Sequence, residues 1–149
     1  MAYKNTGEFN ILYPTRRRMA ALLKRIVRND IVQNTGTLVE SIRINAKVTG
    51  FGSLEIEIVA MYYFIFLNNG AFLWNGGVIT PRDYVNTFTR ELAAAGITNE
   101  IYSQYVEWIS QNYPILEVAE ILESDQRLTY TFYALDPPAG FTPNYPLTV

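Results

Sequence analysis

The chain has 149 residues, which is enough for one domain with a hydrophobic core. It contains no histidine and no cysteine, which excludes imidazole and thiolate catalysis, disulfides and Cys/His zinc sites. Charged residues make up 17 % of the chain, against a usual value of about 25 %, whereas tyrosine occurs 11 times. Interface cores lose charges and gain aromatic residues in this way, so the composition favours a subunit of an assembly; a tyrosine-rich monomer is the alternative.

Charge is distributed unevenly along the chain. Residues 1–50 carry nine Lys/Arg and three Asp/Glu, and residues 51–149 carry three Lys/Arg and eleven Asp/Glu. Copies could pair head-to-tail through these opposite charges, or the two halves could interleave within one fold and cancel locally. The N-terminus lacks the apolar region of a secretory signal, and the longest apolar run, Ile58 to Leu67, is about half of a membrane span. We therefore expect synthesis in the cytoplasm and no membrane partner.

The predicted elements begin with an N-terminal arm, residues 1–14, in which Glu8 to Tyr13 could add a strand. Thr15 is the predicted N-cap of the following helix. That helix runs from Arg16 to Val32, because apolar residues recur there at helical spacing. Asp30 falls on the apolar side of the helix, so either the helix ends before it or Asp30 has a partner.

A β-hairpin is predicted next. Thr37 to Glu40 has the pattern of a capping box that opens a short helical turn. The segments Ser41 to Thr49 and Leu54 to Ala60 alternate apolar and polar residues, as half-buried strands do. Their outward positions carry opposite charges on the two strands: Arg43, Lys47, Glu55 and Glu57. The two glutamates could act as a catalytic pair, but a solvated strand face is the favoured interpretation because nothing predicts a pocket around them.

The central part of the chain is strongly apolar. Met61 to Leu67 carries no charge and four aromatic residues, so it is predicted to be buried, as a strand or as a short helix. A loop containing Trp74 to Gly77 follows. Thr80 to Asp83 is then typical of a helix start, with a cap, a proline at the first position and an acid in the first turn.

The rest of the chain is predicted to hold further helices, one strand and an arm. A helix with an apolar stripe begins at Tyr84 and ends at Gly96; a second opens at Thr98 and ends at Pro114. Ile115 to Leu122 is predicted as a short helix. Residues 128–134 alternate as a third strand. Four prolines in 136–149 exclude a helix or a central strand, so this segment is predicted to be an extended arm that serves assembly more than folding.

These elements predict an α+β fold: a small, mainly antiparallel β-sheet packed against several helices, with extended N- and C-terminal arms. The expected organisation is an arm over 1–14, a single domain over 15–135 and an arm over 136–149. The C-terminal arm is predicted to dock on neighbours through the following residues: Pro137, Pro138, Phe141, Pro143, Tyr145 and Pro146.

The first predicted helix has a basic face, formed by Arg17, Arg18, Lys24, Arg25 and Arg28. This face could be solvated, or it could dock on an acidic surface such as Glu117, Glu120 and Glu123 of a neighbouring copy. As a third possibility, residues 16–28 could contact phosphates and make the chain a nucleic-acid-binding module. The net charge of −2 disfavours that possibility, because nucleic-acid readers are usually basic overall. The sequence indicates no catalytic residue, cofactor or metal site.

The order of the elements over about residues 16–95 resembles a known family. A helix is followed by Thr35-Gly36-Thr37-Leu38-Val39-Glu40-Ser41-Ile42, by the hairpin, by an aromatic segment from Tyr62 to Gly70, and by the helix start at Thr80. This order resembles the tail-completion and head–tail connector (neck) proteins of tailed bacteriophages. The positions that carry the resemblance are Gly36, Leu38, Ser41, Ile42, Tyr63, Gly70, Pro81 and Arg82. Two departures are Asn68 and Asn69, where the family usually has an acidic residue, and the extra residues 96–149.

The resemblance implies a non-enzymatic structural protein of the virion, made in the host cytoplasm and built into the neck or tail. It implies a closed homo-oligomeric ring, of about 12 or 6 copies, between the head and the tail. The expected partners are the portal or connector proteins and the tail proteins of the same particle, with packaged DNA close by. No cofactor is expected.

Overall fold

Six helices and six strands follow one another in the part of the chain that the structure describes. The structure is a computed structural model, and it describes residues 9–30, 35–50, 53–123 and 127–147. The elements are α1 (Tyr13–Arg28), α2 (Thr35–Ser41), β1 (Arg43–Gly50), β2 (Ser53–Met61), α3 (Phe64–Asn69), β3 (Ala71–Phe72), β4 (Val78–Ile79), α4 (Tyr84–Ala94), α5 (Ile97–Asn112), α6 (Ile115–Glu123), β5 (Arg127–Leu135) and β6 (Asn144–Leu147). This content confirms the predicted α+β class.

The main sheet has the strand order β1-β2-β5-β6, so β1 and β6 are its edges. The predicted hairpin is confirmed: β1 and β2 are antiparallel, and Lys47 lies opposite Glu55. The pair β5 and β6 is also antiparallel, whereas β2 and β5 are parallel. Because parallel strands need a long crossover, the chain between them carries α3 to α6 and the small β3–β4 pair.

The core lies on one face of this sheet. Alternate residues of β1, β2 and β5 are buried there, among them Ile44, Ile56 and Phe132. The helices bring their apolar stripes to the same core, in α1 through Met19, Leu23 and Val27 and in α4 through Tyr84, Val85, Phe88 and Leu92. The α4 stripe is as predicted, because the period of 3.6 residues is a local property of the sequence.

The start of α1 differs from the prediction. The helix begins at Tyr13, with Leu12 at the N-cap, and the proposed strand from Glu8 to Tyr13 does not form in the described residues. Thr15 is not a cap: its hydroxyl donates a 2.6 Å hydrogen bond to Glu100 Oε1 and accepts one from Gln104 on α5. A tertiary contact has therefore replaced the local cap. Phe9 packs edge-to-face on Tyr105, with the ring centroids 5.7 Å apart, so this part of the predicted arm lies in the core.

Two further helix starts lie elsewhere than predicted. The helix α2 begins at Thr35, so Thr37 lies inside it and is not its N-cap. The helix α4 begins at Tyr84, and Thr80 and Pro81 belong to the extended segment before it. Asp83 occupies the N-cap position with φ of 51° and makes no side-chain capping bond. Both predictions relied on local capping patterns, and at the start of α4 the side chain of Asn68 accepts the Val85 N–H in place of the predicted cap.

The apolar segment from Met61 to Leu67 is divided between two elements. Met61 ends β2 and Phe64 begins α3, so the short-helix alternative holds for its second half. Phe64 and Ile65 are buried, whereas Tyr62, Tyr63 and Phe66 are only half-buried. The prediction that the whole segment is buried is therefore right only for its middle.

The C-terminal segment is extended, as predicted, but part of it is regular structure. Residues Asn144–Leu147 form β6 on the edge of the sheet, and Leu147 is buried. Proline has no backbone N–H to donate. Pro146 is tolerated in β6 because an edge strand forms hydrogen bonds to a neighbouring strand along only one side. The Ala134 N–H also donates a 2.7 Å hydrogen bond to the carbonyl of Pro143. The expectation that this segment contributes little to the fold is wrong for these residues.

Candidate assembly surfaces

A small hairpin, Ala71–Ile79, carries large apolar side chains into solvent; we call it the apolar hairpin. Phe72 and Trp74 are 90 % and 97 % exposed, and Val78 is exposed as well. The tip is ordered by its own backbone, because the Leu73 N–H donates to the Gly77 carbonyl at 2.8 Å and the Gly76 N–H donates to the Leu73 carbonyl. The sequence pattern predicted only a loop for this segment. The signal that it missed was the Asn75-Gly76 pair between two apolar dipeptides, which is typical of a tight β-turn.

The base of the apolar hairpin depends on Gly70. Its φ is 78°, and a Cβ at this position would lie 2.8 Å from the Ile79 carbonyl oxygen and from the ring of Pro81. Only glycine meets both conditions at low cost. The structure thus brings together two of the positions that carry the family resemblance, Gly70 and Pro81.

The segment after the apolar hairpin is tied to α3 and to the end of α1. The Arg82 N–H donates to the Leu67 carbonyl at 2.9 Å, and the Arg82 guanidinium lies 3.1 Å from the Asp30 carboxylate. The Tyr84 hydroxyl donates to the other oxygen of Asp30 at 2.5 Å. Both alternatives for Asp30 therefore hold: α1 ends before it, and it has partners. Burial, together with the hydrogen bond to Asp30, raises the pKa of Tyr84 well above its ordinary value.

The other positions of the family pattern have structural roles. Leu38 and Ile42 are buried in the core. The Ser41 hydroxyl donates to the Leu38 carbonyl at 2.6 Å and accepts from the Met61 N–H at 3.0 Å, which joins α2 to the end of β2. Tyr63 is half-buried against Tyr62. Nothing lies within 4 Å of a Cβ built on Gly36, so packing does not require glycine there.

The basic face of α1 is partly neutralised within the chain. Arg18 pairs with Glu100, and Arg25 lies 3.7 Å from Glu91. Hydrogen bonds from Thr15 and Arg18 lower the pKa of Glu100. The remaining members of the face, Arg17, Lys24 and Arg28, form no ion pair within the described ranges.

A groove of about 400 Å³ lies between α1 and the start of the edge strand β1; we call it the cationic groove. Its lining residues are Tyr13, Arg16, Arg17, Ala20, Lys24, Ile42, Arg43, Ile44 and Asn45. The Arg16 side chain contacts other lining residues: its guanidinium lies 3.5 Å from the Asn45 side-chain oxygen and over the Tyr13 ring. Among the described residues, the lining holds four basic side chains and no acidic one, so the groove favours an anionic occupant.

The helix α6 exposes most of its apolar residues. Ile115 and Leu116 are 84 % and 80 % exposed, and Ala119 and Leu122 are exposed too, whereas Ile121 is buried. Two acidic side chains, Glu120 and Glu123, lie beside these positions and are exposed. The sequence predicted this helix but not the exposure of its apolar side, because periodicity does not tell which face meets a partner.

The residues predicted for C-terminal docking divide into two groups. Phe141 packs on Phe66 and Tyr145 with ring centroids 5.7 and 5.6 Å apart, and Tyr145 lies in β6. Both are therefore held by their own chain. The prolines of the segment are exposed: Pro137, Pro138, Pro143 and Pro146.

The sequence predicted a solvated outward face for β1 and β2. Glu55 lies on that face, but it is only 7 % exposed. Lys47 lies 3.5 Å from Glu55, and the Tyr133 hydroxyl donates to its carboxylate at 3.4 Å. Tyr133 also accepts from Lys47, and this hydrogen bond contributes most to raising the pKa of Lys47. The contacts around Glu55 tie β1, β2 and β5 together.

No group of three or more His, Cys, Asp or Glu side chains in the described ranges could hold a metal ion. None of the helices there combines the length and the hydropathy that crossing a membrane requires. Comparison with protein-family models, with curated proteins and with solved structures finds no significant match to the chain.

Proposed function

We propose that this chain is a non-enzymatic structural subunit that assembles with copies of itself into a ring in the head–tail connector of a tailed bacteriophage. The observation that carries the proposal is the apolar hairpin, which leaves Phe72 and Trp74 almost fully exposed. Covering each of these side chains would contribute roughly 1.5–3 kcal/mol to an association. Exposed apolar groups that are clustered in this way mark interaction sites.

The hairpin is suited to binding because it is already ordered. Its backbone hydrogen bonds, the glycine at position 70 and the contacts of Arg82 fix the position of its two ends. A surface that is ordered before it binds loses less conformational entropy on association. The place of the ring in a virion neck rests on the order of motifs from residue 16 to residue 95.

The assembly role is tested by removing the apolar side chains of the hairpin. The variant Phe72→Ser with Trp74→Ser should fold as the wild type does but elute with the mass of a 17.0 kDa monomer in light scattering. A control with Leu12→Ser and Val106→Ser removes two exposed apolar side chains elsewhere and should leave the oligomer unchanged. A hairpin variant that forms the same oligomer as the wild type contradicts the proposal.

The location in the virion needs a separate experiment. Particles produced with a tagged copy of the chain should show added density at the head–tail junction in electron micrographs. Purified particles that lack the chain would refute this part of the proposal, even if the isolated protein forms rings.

A nucleic-acid-binding module is the second candidate, and the cationic groove is the observation that favours it. Arg17, Lys24 and Arg43 line this groove, and no acidic residue of the described ranges belongs to its lining. If this candidate is correct, duplex DNA binds and its affinity falls steeply as the salt concentration rises. Absence of binding at low salt would remove it.

A further inference from the structure

The outer side of α6 has the chemistry of a docking helix. It presents Ile115, Leu116, Ala119 and Leu122 beside Glu120 and Glu123. Over Ile115–Glu123 the helix has three glutamates and no basic residue. Within the described part of the chain, no ion pair involves Glu120 or Glu123. This surface is apolar and acidic at once, so a matching site should be apolar and basic.

The cationic groove has the matching composition. Its basic residues include Arg17, Lys24 and Arg43, and it also contains apolar atoms of Tyr13 and Ala20. None of these three basic residues forms an ion pair within the described ranges. A partner that supplies carboxylates and aliphatic side chains would thus satisfy both parts of the lining.

The lengths of the two surfaces agree. The helix α6 has nine residues, which corresponds to a length of about 13 Å. The side of α1 that lines the groove runs from Tyr13 to Lys24, a distance of about 16 Å at the same rise per residue. A helix of this length can lie along the groove, in the way that amphipathic helices occupy grooves of their partners.

We propose that α6 of one copy of this chain docks in the cationic groove of the next copy. This inference rests on the proposed function, because it adds a second contact between the same subunits, besides the one made by the apolar hairpin. The two surfaces belong to different elements, so the contact is heterologous and closes a ring if its rotation permits. A second copy is a better occupant than DNA, because a phosphate backbone offers nothing to the apolar part of the groove or to Ile115 and Leu116.

Two charge-reversal variants, measured separately and then as a mixture, test this contact. The groove variant carries Arg17→Glu and Lys24→Glu, and the helix variant carries Glu120→Lys and Glu123→Lys. Each variant alone should associate at least about tenfold more weakly than the wild type in analytical ultracentrifugation, because like charges then face each other at every contact. In an equimolar mixture, each reversed groove meets a reversed helix, so association should recover. The matched control, Arg28→Glu with Arg90→Glu, makes the same change in net charge outside the groove lining and should have little effect.

Each outcome decides between the possibilities. A wild type that stays monomeric refutes the proposed function itself. A wild type that associates, with variants that do not recover on mixing, refutes this contact and leaves the assembly role standing. A groove variant that assembles normally and loses only binding to duplex DNA assigns the groove to nucleic acid.

If a variant fails to fold, Lys24→Cys with Glu120→Cys in this cysteine-free chain provides a second measurement. Oxidation should then link neighbouring copies, and absence of links in an assembled sample contradicts the contact.

Discussion

The side chain of Asn68 caps a helix that begins 16 residues later: its Oδ1 accepts the Val85 N–H of α4 at 2.9 Å. Asn68 is nearly buried in the last turn of α3, two residues before the glycine that opens the apolar hairpin. One side chain therefore fixes the first turn of α4 relative to the start of the hairpin. Asp83, at the N-cap position, makes no side-chain capping bond, so Asn68 supplies the side-chain acceptor for this turn.

Replacement of Asn68 by leucine should lower the free energy of unfolding by about 1–2 kcal/mol, because the Val85 N–H loses its acceptor. Asn68→Asp keeps an acceptor oxygen near the helix N-terminus and should cost less than the leucine variant. Urea denaturation measures both changes, and Asn86→Leu at an exposed position of α4 is the matched control. Equal stability of the leucine variant and the wild type would show that the cap is unimportant.

Tyr84→Phe should lower the free energy of unfolding by about 1 kcal/mol, because Asp30 then loses one hydrogen-bond donor. It should also change the response to alkali. Burial and the contact with Asp30 raise the pKa of Tyr84 above its ordinary value of 10.0. Below pH 10 this tyrosine is protonated in both the folded and unfolded states. Above pH 10 the unfolded state loses the proton first, so the folded state loses stability relative to it as the pH rises.

The wild type should thus lose stability more steeply than Tyr84→Phe between about pH 10 and pH 11.5, as read from chemical denaturation at each pH. Tyr130→Phe should reduce the slope in the same way, because burial raises the pKa of Tyr130 to about 12. Parallel curves for all three proteins would show that neither tyrosine keeps its proton in the folded state.

Lys47→Met should lower the free energy of unfolding by about 1–3 kcal/mol, because the nearly buried carboxylate of Glu55 then loses its cation. Adding Glu55→Gln removes the unpaired charge and should restore part of the loss. A double-mutant cycle from thermal or urea denaturation measures the coupling. If the two single changes simply add, the residues are not coupled.

Truncation after Leu135 should destabilise the fold as well as any assembly, because it removes β6 and the buried Leu147. A milder test is Phe141→Ala, which loses the contacts with Phe66 and Tyr145 and should cost about 2 kcal/mol. Pro137→Ala, at an exposed position of the same segment, is the control. A truncated chain that melts at the temperature of the full chain would show that β6 and Leu147 do not stabilise the fold.

Much of the fold follows from local patterns in the sequence. The alternation of Ser41 to Thr49 and Leu54 to Ala60 identified the first hairpin, and the spacing of Phe88 and Leu92 identified the buried side of α4. These features depend on which side chains avoid water, and that information is carried by neighbouring residues.

The features that sequence reasoning missed depend on residues far apart in the chain. Asn68 replaced Thr80 as the cap of α4, and Glu100 engaged the hydroxyl of Thr15 that was expected to cap α1. Glu55 is shielded partly by Tyr133, which lies 78 residues away. The exposure of Trp74 and Leu116 was missed for a different reason. An apolar residue predicts burial, but the sequence does not show whether it is buried in the core of its own chain or in an interface with another.

Native mass spectrometry of the purified full-length chain is the most direct test of the proposal that it works as an assembling subunit. We predict one dominant species whose mass is a fixed whole-number multiple of 17.0 kDa, and whose population falls when Phe72 and Trp74 are replaced by serine. Electron micrographs of the same sample should show closed rings. A species of 17.0 kDa alone, at every protein concentration tested, would contradict the proposed role in self-assembly.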